Sequence, residues 1–150
     1  MKIDDIKKRI KEKNAKWKTK ENHITILDEE EKRKLLGVTP PEKLERVATI
    51  PAIGEEIAEF AAEVDWRTSG HITSIKNQGP SAGCVAFATT AVMESMALIE
   101  KSTLIDLSEA DLLFCSSHGE TDEGWWPSLA FESVKLRGVC DELCFPFVAG

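Results

Sequence analysis

The chain has 150 residues, 42% apolar and 30% charged, with a formal net charge of −7, which sets one globular unit as the first expectation. That acidic balance argues against a nucleic-acid surface, and no apolar run approaches the length of a membrane span. The N-terminus opens on charged residues without an apolar h-region, so no signal peptide is visible and the compartment stays open.

Charge divides the chain in two. Residues 1–62 hold 14 Lys/Arg and 13 Asp/Glu, whereas residues 63–150 hold 5 and 13. In the first part, Ile3, Ile6, Ile10 and Trp17 recur at spacings of three, four and seven, an amphipathic helical stripe. The basic cluster from Lys7 to Lys20 has acids beside it and reads as a solvated helix face. Asp28 and Glu31 make a capping-box pattern that starts a second helix, expected to end at Gly37 with Pro40 and Pro41 as stops. Residues 39–62 then form a tail or spacer, with small residues at Ala58–Ala62.

The second part, residues 63–150, reads as mostly helical. His71 precedes a short strand, Ile72-Thr73-Ser74-Ile75. A long helix runs from Cys84 to about Ile99, and Val85, Phe87, Ala88, Val92, Met96 and Ile99 spread around it, the pattern of a buried helix. Ser108 caps a short helix through Leu113, with Asp111 at the capping-box position. Pro127 suits the first turn of a further helix ending at Gly138, and Phe145-Pro146-Phe147 forms an edge segment.

Chemistry concentrates between Gln78 and Phe87. Cys84 follows a Gly-bearing turn and heads the long helix, where the positive end of the helix dipole and unpaired backbone N–H groups favour thiolate. Six residues upstream, the Gln78 side-chain amide can donate to a developing oxyanion. The plainer alternative is a small buried residue at a helix start, a common fate of free cysteine.

Three runs decide between them: Val64-Asp65-Trp66-Arg67, Gly70 to Gly79, and Cys84-Val85-Ala86-Phe87-Ala88-Thr89-Thr90. Leu107-Ser108-Glu109-Ala110-Asp111-Leu112, Cys115, Gly124-Trp125-Trp126-Pro127, Ala130-Phe131, Gly138-Val139 and Phe145-Pro146-Phe147 follow in order. Over residues 63–148 this series closely resembles the start of the mature domain of papain-like cysteine peptidases. Residues 14–37, with Trp17, Asn22 and the Leu36-Gly37 ending, resemble a shortened activation propeptide of that family more weakly.

The resemblance implies an α+β fold class of which this chain holds the mostly helical left-hand half, preceded by a helical pro-segment over 1–62, with the β-rich half absent. It implies a thiolate nucleophile at Cys84, an oxyanion hole from Gln78 and the Cys84 N–H, and a cleft wall from Gly124, Trp125, Trp126 and Pro127. The implied partners are a peptide or protein substrate, the pro-segment lying in the cleft against the substrate direction, and a C-terminal half-domain. No cofactor or metal is implied, and family members are often secreted or lysosomal.

Departures from the family pattern bear on specificity. Ser81 stands where a second cysteine is usual, and Asp122 where its disulfide partner would be. Val85 replaces an aromatic residue, and Trp125 replaces the second glycine of the cleft wall, so a narrowed cleft with an apolar or aromatic preference is expected. Trp125, Trp126, Phe145 and Phe147 are expected on a surface exposed for want of the β-rich half.

Catalysis needs an imidazole to take the thiol proton, roughly 130–150 residues beyond the nucleophile in this family. His23, His71 and His118 do not occupy that position, so the isolated chain is expected to be catalytically incomplete. Cys115, Cys140 and Cys144 are an odd set once Cys84 is set aside, leaving a free thiol in any pairing. Their spacing lacks a tight Cys-x-x-Cys pair, which argues against zinc. A non-catalytic propeptide-type inhibitor or pseudo-peptidase binding module remains the alternative.

Overall fold

The computed structural model describes residues 3–38, 63–116 and 124–148. The tail over 39–62, the small-residue zone at Ala58–Ala62, His118 and Asp122 lie outside the described residues. Five helices follow in order: α1 (Ile3–Glu12), α2 (Glu29–Lys34), α3 (Cys84–Lys101), α4 (Glu109–Phe114) and α5 (Pro127–Arg137). Among the described residues, β-pairing is confined to two isolated bridges, Val38 with Trp125 (parallel) and Leu107 with Asp141 (antiparallel).

Helix α1 carries Ile3, Ile6 and Ile10 half-buried along one face. Helix α2 begins at a reciprocal capping box: Asp28 Oδ1 accepts from the Glu31 N–H at 2.8 Å, and Glu31 Oε2 accepts from the Asp28 N–H at 2.9 Å. It stops at Lys34, not at Gly37 as expected. The Leu35 and Leu36 N–H groups still donate to the Lys32 and Arg33 carbonyls, whereas the Leu35 carbonyl and both backbone groups of Gly37 bond to the second part of the chain.

Helices α4 and α5 pack on α3 and on each other. Their core is Val85, Ala86, Leu112, Leu113, Trp125 and Ala130, with Leu129, Val134, Val139 and Phe147 packed against it. Ser108 Oγ accepts from the Asp111 N–H at 2.8 Å and starts α4 as expected. Pro127 occupies the first turn of α5, and Gly138 ends it at φ 79°, where a side chain would be strained.

Two expectations need correction. Ile72–Ile75 does not form a strand: Ile72 lies in a bend, and Ile75 is fully exposed. Helix α3 buries Val85, Ala86, Thr89, Thr90 and Glu94, while Val92 and Met96 are 49% and 44% exposed. The polar residues turn inward because Lys76 gathers them. Its Nζ lies 2.6 Å from Asp106, 2.8 Å from Glu109 and 3.2 Å from Glu94, and also donates to the Leu107 carbonyl. Thr73 and Thr90 donate to Glu94 and Glu109, and the Leu107 N–H completes Glu94. Burial opposes the Lys76 charge, yet the Asp106, Glu109 and Glu94 carboxylates outweigh it and hold the ammonium well above its usual pKa.

Candidate active site

Cys84 is the first residue of α3 and is half-buried. Gly83 serves as N-cap without a side-chain acceptor, so the first turn keeps its dipole and N–H groups uncapped by any side chain. The Cys84 Sγ accepts a hydrogen bond from the Gly37 N–H at 3.2 Å. That contact joins residues 47 positions apart.

Gln78 reaches the same place from the turn before α3. Asn77 Oδ1 accepts from the Gly79 N–H at 3.1 Å, and Gly79 takes φ 59°, which tightens the turn. The Gln78 Nε2 then donates to the Ser81 carbonyl at 2.7 Å and to the Leu35 carbonyl at 3.3 Å. A neutral amide donor thus faces a carbonyl oxygen of residues 35–38, while the neighbouring Gly37 N–H bonds the thiol.

On the other side of residues 35–38 lie Gly124 and Trp125. The Trp125 N–H donates to the Gly37 carbonyl at 2.6 Å, next to the parallel bridge between Val38 and Trp125. Gly124 sits at φ 95°, and a Cβ there would meet the Gly37 carbonyl oxygen at 2.5 Å. A Cβ on Gly37 would in turn meet the Ala82 carbonyl oxygen at 1.7 Å. Only two glycines allow the backbones to approach this closely.

Residues 35–38 therefore bring Cys84, Gln78, Gly124 and Trp125 together. Trp126 and Pro127 instead supply the N-cap and first residue of α5. Trp125 corrects an expectation: only 3% of it is exposed, and its indole belongs to the core, so it meets residues 35–38 through its backbone. Phe147 likewise packs on the core, edge-on to Phe87 at 4.8 Å, whereas Phe145 is exposed. Other exposed apolar residues are scattered over the described residues, among them Ile75, Val92, Met96, Leu104, Leu136 and Leu143.

His71 Nδ1 lies 2.7 Å from the Ser69 hydroxyl, and its ring stands edge-on to Trp66. His23 lines a cavity of about 410 Å³ with Leu27, Leu35, Asn77 and Pro80. Among the described residues, neither histidine is hydrogen-bonded to Cys84. All four cysteines are free thiols, with Cys115 and Cys144 exposed. Burial, then the Asp111 carboxylate and Cys144, push the Cys140 thiol up. No set of three potential metal ligands occurs among the described residues.

Sequence reasoning missed Leu35 and Ala82, and it named Gly37 as a helix stop and as the end of the propeptide-like stretch without its contact to Cys84.

The family model described as papain family cysteine protease matches residues 60–150. Viral cathepsin of Lymantria dispar multicapsid nuclear polyhedrosis virus is 36% identical over 116 residues, 77% of this chain and 33% of the relative. A recombinant stem bromelain precursor is similar over 99% of this chain and 47% of its own, with 26% identity and a TM-score of 0.65. Digestive procathepsin L2 of Tenebrio molitor shares the fold over 98% of this chain and 50% of its own, at a TM-score of 0.80 and 23% identity. The chain thus spans about a third to a half of the length of these relatives.

Proposed function

Because the chain belongs to the papain family of cysteine proteases, we propose that it carries the nucleophile side of a cysteine endopeptidase, held in a zymogen-like state by its own N-terminal segment. Cys84 is the nucleophile, Gln78 and the Cys84 N–H are the oxyanion donors, and Gly124 to Pro127 are the cleft wall. Residues 1–62 act as the pro-segment, and residues 63–150 as the helical part of the peptidase domain.

The observation that carries this reading is the Gly37 N–H bonded to the Cys84 sulfur. A backbone donor on a half-buried sulfur at a helix N-terminus is where an electron-rich thiol is useful, and a merely buried cysteine has no need of it. The Leu35 carbonyl beside Gln78 occupies the kind of position that a substrate carbonyl oxygen would take. The parallel sense of the Val38–Trp125 bridge fits a segment laid against the substrate direction.

In the complete reaction the Cys84 sulfur attacks a peptide carbonyl, the oxyanion is held by Gln78 and the Cys84 N–H, and the amine leaves with a proton from an imidazolium. Water then hydrolyses the thioester. His71 is held by Ser69 and Trp66, and neither it nor His23 is hydrogen-bonded to Cys84, so the 150-residue chain by itself is proposed to acylate poorly and not to turn over.

An irreversible peptidyl epoxide, which alkylates a nucleophilic thiol held beside a peptide-binding cleft, tests the assignment. In the chain with Gly37→Asp, which displaces the pro-segment, mapping should find the label on Cys84. Equal or preferential labelling of the exposed Cys115 and Cys144 refutes the nucleophile assignment.

A further inference from the structure

The Gln78 amide poses a problem that its own side chain does not solve. The last torsion of a glutamine is soft and two-fold, so its oxygen and nitrogen exchange places readily. Turned one way the group donates to an oxyanion, and turned the other way it presents a repelling oxygen.

Ser81 removes the ambiguity. Its carbonyl accepts one Nε2 proton of Gln78 at 2.7 Å, which leaves the second proton facing the Leu35 carbonyl. Its hydroxyl accepts from the Gly83 N–H at 3.2 Å, across the residue that caps α3 beside Cys84. Ser81 is buried, at 8% exposure, and its Oγ lies 3.1 Å from where a Gly83 side chain would begin. One residue thus ties the amide donor behind it to the helix start ahead of it.

We infer that Ser81 is a positioning residue for the oxyanion hole, its hydroxyl fixing the loop so that its carbonyl holds the Gln78 amide with the nitrogen toward Cys84. The inference rests on the proposed role of Gln78. The Ser81 hydroxyl touches no reacting atom and acts through Gln78 and Gly83. Without it the Gly83 N–H loses its acceptor, the Ser81 peptide is free to tilt, and the Gln78 amide loses its preferred face.

Nuclear magnetic resonance on the labelled 150-residue chain tests this directly. In the wild type, a through-hydrogen-bond coupling should link the Gln78 side-chain ¹⁵N to the Ser81 carbonyl ¹³C. In Ser81→Ala, solvent exchange of both the Gln78 side-chain amide and the Gly83 amide should rise about five- to tenfold, the scale of one net hydrogen bond. Ser81→Thr keeps the hydroxyl and should restore both to within about twofold of wild type.

Acceleration at Gly83 alone, or failure of Ser81→Thr to restore Gln78, overturns the inference. Should Ser81→Ala not fold, the coupling decides: its presence in wild type and Ser81→Thr upholds the inference, and its absence from either overturns it. Loss of epoxide label from Cys84 sinks the nucleophile reading and leaves these resonances unchanged, so the two failures are separable.

Discussion

Replacing Gly37 by alanine adds one methyl group where the structure has no room for it. The new Cβ would stand 1.7 Å from the Ala82 carbonyl oxygen, against ordinary contact at 3.4–4 Å. The φ of Gly37 lies outside the positive region, so the cost is the collision and not backbone strain. Its obstacle is backbone carbonyl, which cannot swing aside as a long side chain can. Residues 35–38 must instead withdraw from Ala82 and Cys84.

Withdrawal breaks the Gly37 N–H bond to Cys84 Sγ, the Trp125 N–H bond to the Gly37 carbonyl and the Gln78 bond to the Leu35 carbonyl. Three bonds at about 1 kcal/mol net each give about 2–4 kcal/mol. The open population at Cys84 should therefore rise about 30- to 1,000-fold. Iodoacetamide alkylation with peptide mapping reads this, and the exposed Cys115 and Cys144 serve as internal clocks in the same sample. Gly37→Ala should accelerate Cys84 by that factor, up to the rate of an open thiol, and leave the clocks unchanged. Val38→Ala trims a side chain that is already 56% exposed and should change little. If Cys84 reacts at the same rate in wild type and Gly37→Ala, the blocking role of residues 35–38 is wrong.

Other consequences follow from contacts farther from the cleft. Lys76→Met leaves the buried Glu94 and Glu109 without their cation and should destabilise the fold by about 3–5 kcal/mol, read by urea unfolding. Burial opposes the Asp111 charge, but Arg137 at 3.0 Å and the Cys140 N–H hold its carboxyl below the ordinary value of 3.8. Its contribution is therefore present above that value and fades as the pH falls through the folded one; Arg137→Ala should flatten this acid limb in a pH series of unfolding curves. Lys76 has the opposite sign: its folded pKa is raised, so its stabilisation is complete below the ordinary 10.5 and declines as pH rises past it. Asp28→Ala removes the α2 cap for about 1 kcal/mol, and since α2 leads into Leu35, Cys84 alkylation should rise about fivefold.

Helix starts were the most legible part of this chain. Asp28 with Glu31, Ser108 and Pro127 each announce a helix through a side chain or a fixed φ, and each helix begins there. The interior of α3 misled because its apolar residues are spread around the helix, so burial was decided elsewhere. Thr90 and Glu94 face inward only because Lys76, Thr73 and Glu109 arrive from other parts of the chain to satisfy them. No periodicity within α3 contains that information. Trp125 misled for a related reason: its place in the order of motifs was legible, but the side of the backbone its indole takes depends on the packing of α4 and α5.

The atoms through which residues 35–38 meet Cys84 were illegible for a deeper reason. The contacts run through backbone atoms: the Gly37 N–H and carbonyl, the Trp125 N–H, and the Leu35 and Ala82 carbonyls. Such groups occur in nearly every residue, so a sequence marks them only where a side chain must be missing. Gly37 and Gly124 are those marks, and each acquires meaning only when the other is laid against it. Two glycines 87 positions apart in sequence carry no pattern that either shows alone. A contact built this way tolerates change in Leu36 or Val38, whose side chains are largely exposed, and forbids a single methyl group at Gly37. Residues 35–38 thus meet the second part of the chain as a path of backbone with one required gap at Gly37, and the exposed side chains of Leu36 and Val38 are free to vary.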